Sequence, residues 1–172
     1  TNRRKDGRRN NGVVKLMSEL KKCSLEQAIA YTPHDPVRPN IPANWRVSGA
    51  NEMYYTNGSW GEIDKPNAVL CMSNLKAIPK DESELMSLGF GDIAIFYTVW
   101  SNVKGAGRDI IFKVWDMLKE RKTNRRYVTL SPKTEMAKKF HLSNGAKLIA
   151  TNDTTYNFEY GVPTLTEIRG GM

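Results

Sequence analysis

The sequence predicts an α/β domain with a mixed, mostly antiparallel central sheet flanked by helices, and three observations carry that expectation. Residues 53–73 alternate aromatic and β-branched side chains with turn signals at Asn57-Gly58, Gly61 and Lys65-Pro66-Asn67, the pattern of hairpin strands. The apolar run DIAIFYTVW at 92–100 opens into the glycine-bearing stretch SNVKGAGRD. There Ile111, Val114, Trp115 and Leu118 begin an apolar stripe at helical spacing. Finally, 172 residues with 40% apolar content suffice for one core and hardly for two, so one domain over 12–172 is expected behind a basic N-terminal arm at 1–11.

Several classes are excluded at once. No apolar stretch approaches the roughly 18–20 residues of a membrane-spanning helix, and TNRRKDGRRN has no apolar signal region behind it. A soluble, cytoplasmic protein without a membrane partner is expected. Cys23 and Cys71 lie in no Cys-x-x-Cys or Cys/His spacing, and His34 and His141 are the only histidines, so neither a disulfide framework nor a metal site is expected. The net charge of +8 is mostly local: residues 1–22 hold eight cations against two acids. Such a block is either a solvated tail or a polyanion-binding arm for nucleic acid, whose affinity would fall with salt.

Along the chain, Val13, Leu16, Met17 and Leu20 have the spacing of an amphipathic helix over 13–22. Ser24 and Gln27 have capping-box spacing for a second helix ending near Ala30. Residues 32–44 contain four of the eight prolines and read as a long loop. MYYT, WGEI and AVLCMS read as antiparallel strands. The run at 92–100 reads as a buried central strand rather than a buried helix, on its β-branched and aromatic content and its flanking glycines. After the 106–121 region, 127–130 is a short strand, and Ser131-Pro132 starts a helix over 132–143 that stops at Asn144-Gly145. LIATND and TTYNFEY form a terminal hairpin.

A strand opening into Gly-x-Gly at a helix start is an anion site on physical grounds. First-turn amides point outwards, and missing Cβ atoms let a phosphate approach. Asn102, Val103, Lys104, Gly105, Ala106, Gly107 and Arg108 form this stretch, with two cations beside the amides. The third glycine of a dinucleotide fold and the Lys-[Ser/Thr] of an NTPase loop are both absent, which removes those readings. An ordinary tight turn is the other reading.

Asn102-x-x-Gly105-x-Gly107 is similar to the Gln/Arg-x-x-Gly-x-Gly/Ala signature of the GNAT acyltransferases. Further on, Ala137-Lys-Lys-Phe140-His141-Leu-Ser-Asn-Gly145-Ala146 matches the spacing of the family's Ala-x-x-Leu-Tyr-x-x-x-Gly-Phe. Over 92–160 the chain therefore resembles that superfamily. The resemblance implies a splayed sheet that grips the pantetheine arm of acetyl-CoA against the fourth strand, with no metal. It implies the pyrophosphate on the amides of 103–108, close approach at Gly105 and Gly107, phosphate contacts from Lys104 and Arg108, and thioester contact by the backbone of Val99 and Trp100. Ser131 stands where the family often has an Asn beside the cofactor arm. His141 stands where many members have a Tyr that reprotonates the departing thiolate, and imidazole is able to donate a proton.

The implied function is N-acyl transfer, most simply of acetyl from acetyl-CoA, to an amine on a small molecule or protein. As general base, Asp92, Glu62, Glu52 and Tyr97 stay equivalent, and Asp153, Tyr156 and Tyr160 either shape an acceptor site or simply pack. The cations at 119–126 read as a solvated helix end or as phosphate contacts. The alternative from another class is a non-catalytic module of the same fold whose basic arm contacts nucleic acid.

Overall fold

A computed structural model describes residues 18–57 and 65–162. These fall into two compact units, with 18–57, 65–72 and 98–121 in the first and 73–97 and 122–162 in the second. The basic arm at 1–11, most of the expected first helix, the Asn57-Gly58 turn and the WGEI strand lie outside the described residues.

In the first unit, β1 (Glu19–Lys22) pairs antiparallel with β2 (Asn51–Asn57), Leu20 lying opposite Thr56. This corrects the helix expected over 13–22 in its described part. Helical spacing of apolar residues is a local signal, and pairing with a neighbouring strand outweighs it here. Helix α1 (Leu25–Tyr31) begins as the sequence predicts: the Ser24 side chain accepts from the Gln27 amide and the Gln27 side chain accepts from the Ser24 amide. It packs on β2 through Gln27, whose Nε2 donates to the Tyr55 hydroxyl at 2.9 Å, and through Tyr31, edge-on to Tyr55.

The proline-rich segment is more ordered than a plain loop. It holds a 3-10 turn (Thr32–His34) and one turn of helix, α2 (Ala43–Arg46). Its anchor is an ion pair between Arg46 and Asp35, whose side chains are both 0% exposed. Arg46 Nη1 donates to Asp35 at 2.7 Å, Nη2 to the Arg38 carbonyl at 2.6 Å and Nε to the Ile41 carbonyl at 3.1 Å. The other Asp35 oxygen accepts from the amides of Val37 and Arg38 and from the Thr98 hydroxyl.

β3 (Ala68–Leu75) is buried throughout, as is nearly all of β4 (Ile93–Ser101), and both run through the two units. Strand order is β1-β2-β3-β4 in the first unit, which closes with the 16-residue helix α4 (Ala106–Arg121). α4 buries Ile110, Ile111, Val114 and Leu118, the stripe legible in the sequence. Its last turn is tied to β2, where Arg121 binds both oxygens of Glu52 at 2.7 and 3.0 Å.

The second unit adds α3 (Glu82–Ser87) and continues the sheet with β5 (Arg126–Thr129), parallel to β4. β8 (Thr155–Tyr160) pairs antiparallel with β5. β6 (Ser131–Pro132) and β7 (Lys147–Thr151) both match Tyr156 of β8, so they lie on its opposite edges. Helix α5 (Glu135–Ser143) starts later than the sequence suggests. Ser131 and Pro132 are drawn into the sheet, and Thr134 caps the helix by accepting from the Ala137 amide. Gly145 follows α5 at φ +92°, the left-handed conformation expected after a helix end. No described helix is long and apolar enough to cross a membrane.

Removing one partner of a buried ion pair leaves an uncompensated charge, at a cost of about 3–5 kcal/mol. Arg46→Ala is expected to lower unfolding stability by that amount in urea titrations. Arg46→Lys is expected to recover only part of it, because one ammonium does not reach the three acceptors that the planar guanidinium serves.

Candidate functional site

The glycine loop is built by elements of the first unit. β4 ends at Trp100, 8% exposed, and Ser101, after which 102–105 are exposed and Ala106 and Gly107 are buried again at the start of α4. Gly105 takes φ +83°, and a Cβ there would meet nothing within 4 Å. Glycine at this position is a demand of the backbone, and the space above it is open. The Ala106 amide turns back to the Val103 carbonyl at 3.1 Å, and the Asp109 amide bonds the Gly105 carbonyl at 3.2 Å. The amides of Gly107 and Arg108 fall in the first turn, where a helix has no carbonyl behind them.

Asn102 has a bracing role that its motif does not reveal. Its amide donates to the Asn67 carbonyl at 2.8 Å and its Nδ2 to the Pro66 carbonyl at 2.9 Å, fixing the loop to the turn before β3. Lys104 and Arg108 are exposed, and the Arg108 guanidinium stands 5.3 Å from the Phe112 ring centre. Asp109, the acid of the first turn, is neutralised: Lys113 Nζ lies 2.8 Å from both its oxygens, and Ser18 Oγ donates to it at 3.0 Å. Its charge therefore does not oppose an anion at the helix start.

The remaining predicted site residues belong to the second unit. Ser131 is buried and its hydroxyl donates to Thr129 Oγ1 at 2.8 Å, which in turn accepts from the Phe158 amide. His141 is buried between Phe140, edge-on at 5.0 Å, and Phe158, stacked at 5.1 Å. Its Nδ1 lies 2.8 Å from the Tyr160 hydroxyl, which also accepts from Asn144 Nδ2 at 3.3 Å. Tyr160, His141 and Asn144 thus form one buried hydrogen-bonded set. Burial pushes the His141 pKa down to about 4, so the ring is neutral at physiological pH.

Of the candidate bases, Glu52 is held by Arg121 and by the Tyr54 hydroxyl at 2.6 Å, and Asp92 is held by Arg125 at 3.0 Å. Burial next to Glu52 pushes the Tyr54 hydroxyl well above its ordinary range. Tyr97 is buried, and Glu62 lies outside the described residues. The cation run at 119–126 is engaged in ion pairs at three of its arginines, with Arg121 on Glu52, Arg125 on Asp92 and Arg126 on Glu159. Among the described residues no group of three or more His, Cys, Asp or Glu is placed to hold a metal.

No known family profile matches the sequence, and no curated protein matches it. Solved structures do match. A malonyl-CoA decarboxylase from Agrobacterium vitis aligns with a TM-score of 0.71 at 12% identity, over 85% of this chain and 61% of that one. A putative GNAT-family acetyltransferase from Desulfovibrio desulfuricans aligns with a TM-score of 0.56 at 9% identity, over 83% and 97%. The fold is GNAT-like. A PaiA N-acetyltransferase from Thermoplasma acidophilum, solved in complex with coenzyme A, aligns with a TM-score of 0.56 at 10% identity, again over 83% and 97%. The chain spans about three fifths of the length of the Agrobacterium decarboxylase.

Within this GNAT-like fold, residues 99–108 form one continuous strand-end, turn and helix start, as their sequence order implies. Two features escaped the sequence. The Tyr160–His141–Asn144 arrangement joins a strand to a helix end, and Asn144 reads locally as nothing more than a cap. The tie from Asn102 to Pro66 and Asn67 spans 36 residues with no motif at its far end.

Because the folded pKa of His141 is depressed below the ordinary value near 6.5, the unfolded chain binds more protons between these values, and stability falls as pH drops from about 6.5 to about 4. The loss attributable to this group is on the order of 3 kcal/mol. Urea titrations of wild type and His141→Gln at pH 7.5 and pH 4.5 are expected to show the smaller pH dependence in the variant. Equal slopes would falsify the assignment.

Proposed function

We propose that this chain is an acyl-CoA-dependent acyltransferase that moves an acyl group, most simply acetyl from acetyl-CoA, to an amine. The observation that carries the reading is a GNAT-like fold in which β4 opens into an exposed turn. Gly105 there has open space at its Cβ position, α4 follows directly, and Lys104 and Arg108 stand beside it. In this reading the amides of 103–108 bind the pyrophosphate, with close approach at Gly105 and Gly107. Backbone donors at Val99 and Trp100 hold the thioester carbonyl and act where negative charge develops as the amine attacks. Ser131 is assigned to the cofactor arm, and His141 to handing a proton to the departing sulfur from one ring nitrogen while the other takes a proton up, so that the neutral ring is restored. The proton lost by the amine nitrogen ends on that sulfur. The acceptor is a small-molecule or protein amine.

A second reading is favoured by the 0.71 TM-score to a malonyl-CoA decarboxylase. Removal of carbon dioxide from a malonyl thioester also places negative charge on the thioester oxygen, so the same backbone donors serve either reaction. The products separate them. Free thiol formed from acetyl-CoA only when an amine is present supports transfer, while carbon dioxide from malonyl-CoA without free thiol supports decarboxylation. Coenzyme A binding with neither product leaves a binding module, and salt-sensitive retention of nucleic acid that depends on residues 1–11 would then be its function.

The double variant Lys104→Glu/Arg108→Glu is expected to weaken coenzyme A binding by roughly tenfold or more in calorimetric titration, about 1.4 kcal/mol. Both side chains are exposed, so the thermal midpoint should stay near that of wild type.

A further inference from the structure

Packing alone does not decide which way the His141 ring is turned. Phe158 stacks on it at 5.1 Å and Phe140 meets it edge-on at 5.0 Å, which fixes the plane of the ring. A ring turned over about its bond to Cβ would fill the same space, with Nδ1 exchanged for Cδ2 and Nε2 for Cε1. What separates the two orientations is the contact of Nδ1 with the Tyr160 hydroxyl at 2.8 Å, because a ring carbon in that place would leave a buried hydroxyl without this bond.

Tyr160 is in turn held by its surroundings. It is the last residue of β8, it pairs with Tyr127 of β5, and its hydroxyl oxygen accepts from Asn144 Nδ2 at 3.3 Å. Asn144 caps α5 with its amide on the carbonyls of Phe140 and His141, and the Ala146 amide returns to the His141 carbonyl at 3.1 Å. A strand end and a helix end therefore meet at one hydroxyl of a residue that is 2% exposed. The far corner of the ring is different. Nε2 has no hydrogen bond among the described residues, yet it is not sealed in the interior as the unpartnered Ser73 hydroxyl is, so the exposed edge of the ring includes it.

We infer that Tyr160 is a positioning residue: by holding Nδ1 it turns Nε2 outward, and Nε2 is the nitrogen that meets the sulfur of coenzyme A. The inference rests on the acyl-CoA reading above and gives a direction to the proton transfer assigned there to His141. The N–H bond at Nε2 breaks as the S–H bond forms. Nδ1 takes up the hydroxyl proton of Tyr160, and the hydroxyl receives the proton that the amine has released, so ring and phenol both end neutral.

The test is nitrogen NMR of the two labelled imidazoles at pH 7.5, where burial keeps the His141 ring neutral, with coenzyme A as the titrant. His34, the other histidine, is exposed and serves as the internal reference, and His141→Gln assigns the signals. In wild type, coenzyme A is expected to shift the Nε2 resonance of His141 and to leave Nδ1 in place. In Tyr160→Phe the two resonances are expected to draw together as orientations and tautomers exchange, and coenzyme A to move both with its affinity unchanged. Asn144→Ala keeps the Nδ1 contact and should retain the wild-type pattern. If coenzyme A binds wild type and shifts Nδ1 instead, or neither nitrogen, the Tyr160 assignment fails while coenzyme A binding stands. A folded Tyr160→Phe protein with the wild-type pattern has the same meaning, and the wild-type titration decides the matter even if that variant does not fold. If coenzyme A does not bind, the acyl-CoA reading fails and this assignment with it.

Discussion

The first unit depends on the ion pair between Asp35 and Arg46. A segment with four prolines has few amide donors with which to join a sheet or helix, and by itself it would stay solvated. Here it is closed by two charges that have no contact with water. Each is offset in full. The guanidinium serves a carboxylate and two backbone carbonyls, and the carboxylate accepts in addition from two amides and the Thr98 hydroxyl. Arg46 Nη1 also lies 3.6 Å from Cys71 Sγ on β3, so the segment is fastened to β3 and to β4 through one residue pair. Thr98 precedes Val99 and Trp100, and the pair thus steadies the strand end from which the glycine loop leaves.

Charge elsewhere follows a consistent division. The arginines at 121, 125 and 126 meet carboxylates on β2, at Asp92 and on β8, and act as fasteners between elements. Hydrogen bonding to Glu52 and to Glu159 holds Arg121 and Arg126 still more firmly in the charged form. The cations of the loop, Lys104 and Arg108, have no such carboxylates among the described residues. The second unit adds neutral hydrogen bonds to its two ion pairs. Asn157, 1% exposed, donates to the carbonyls of Thr129 and Pro79, and Thr155 donates to the carbonyl of Lys80, so β8 gathers both β5 and the segment before α3.

A GNAT-like fold hosts both acetyltransferases and a malonyl-CoA decarboxylase among its matched structures. At identities of 9–12% the likeness is one of fold, and one fold hosts different reactions.

The sequence by itself determined the features whose causes lie within a few residues. The capping box at Ser24 and Gln27, the stripe of α4, the left-handed glycine after α5 and the glycine loop after β4 were all legible, because each rests on local backbone geometry or on one helix period. Tertiary structure decided the rest. Leu20 has helical spacing but lies in a strand because β2 offers its edge, and Ser131-Pro132 looks like a helix start but joins β8. The burial of Asp35 and Arg46, the neutral His141 against Tyr160, and the brace from Asn102 to the turn beside Lys65 depend on partners 11, 19 and 36 residues away. Local propensities amount to tenths of a kcal/mol per residue, whereas leaving one partner of a buried ion pair uncompensated costs several kcal/mol, so where the two disagree the distant contact prevails.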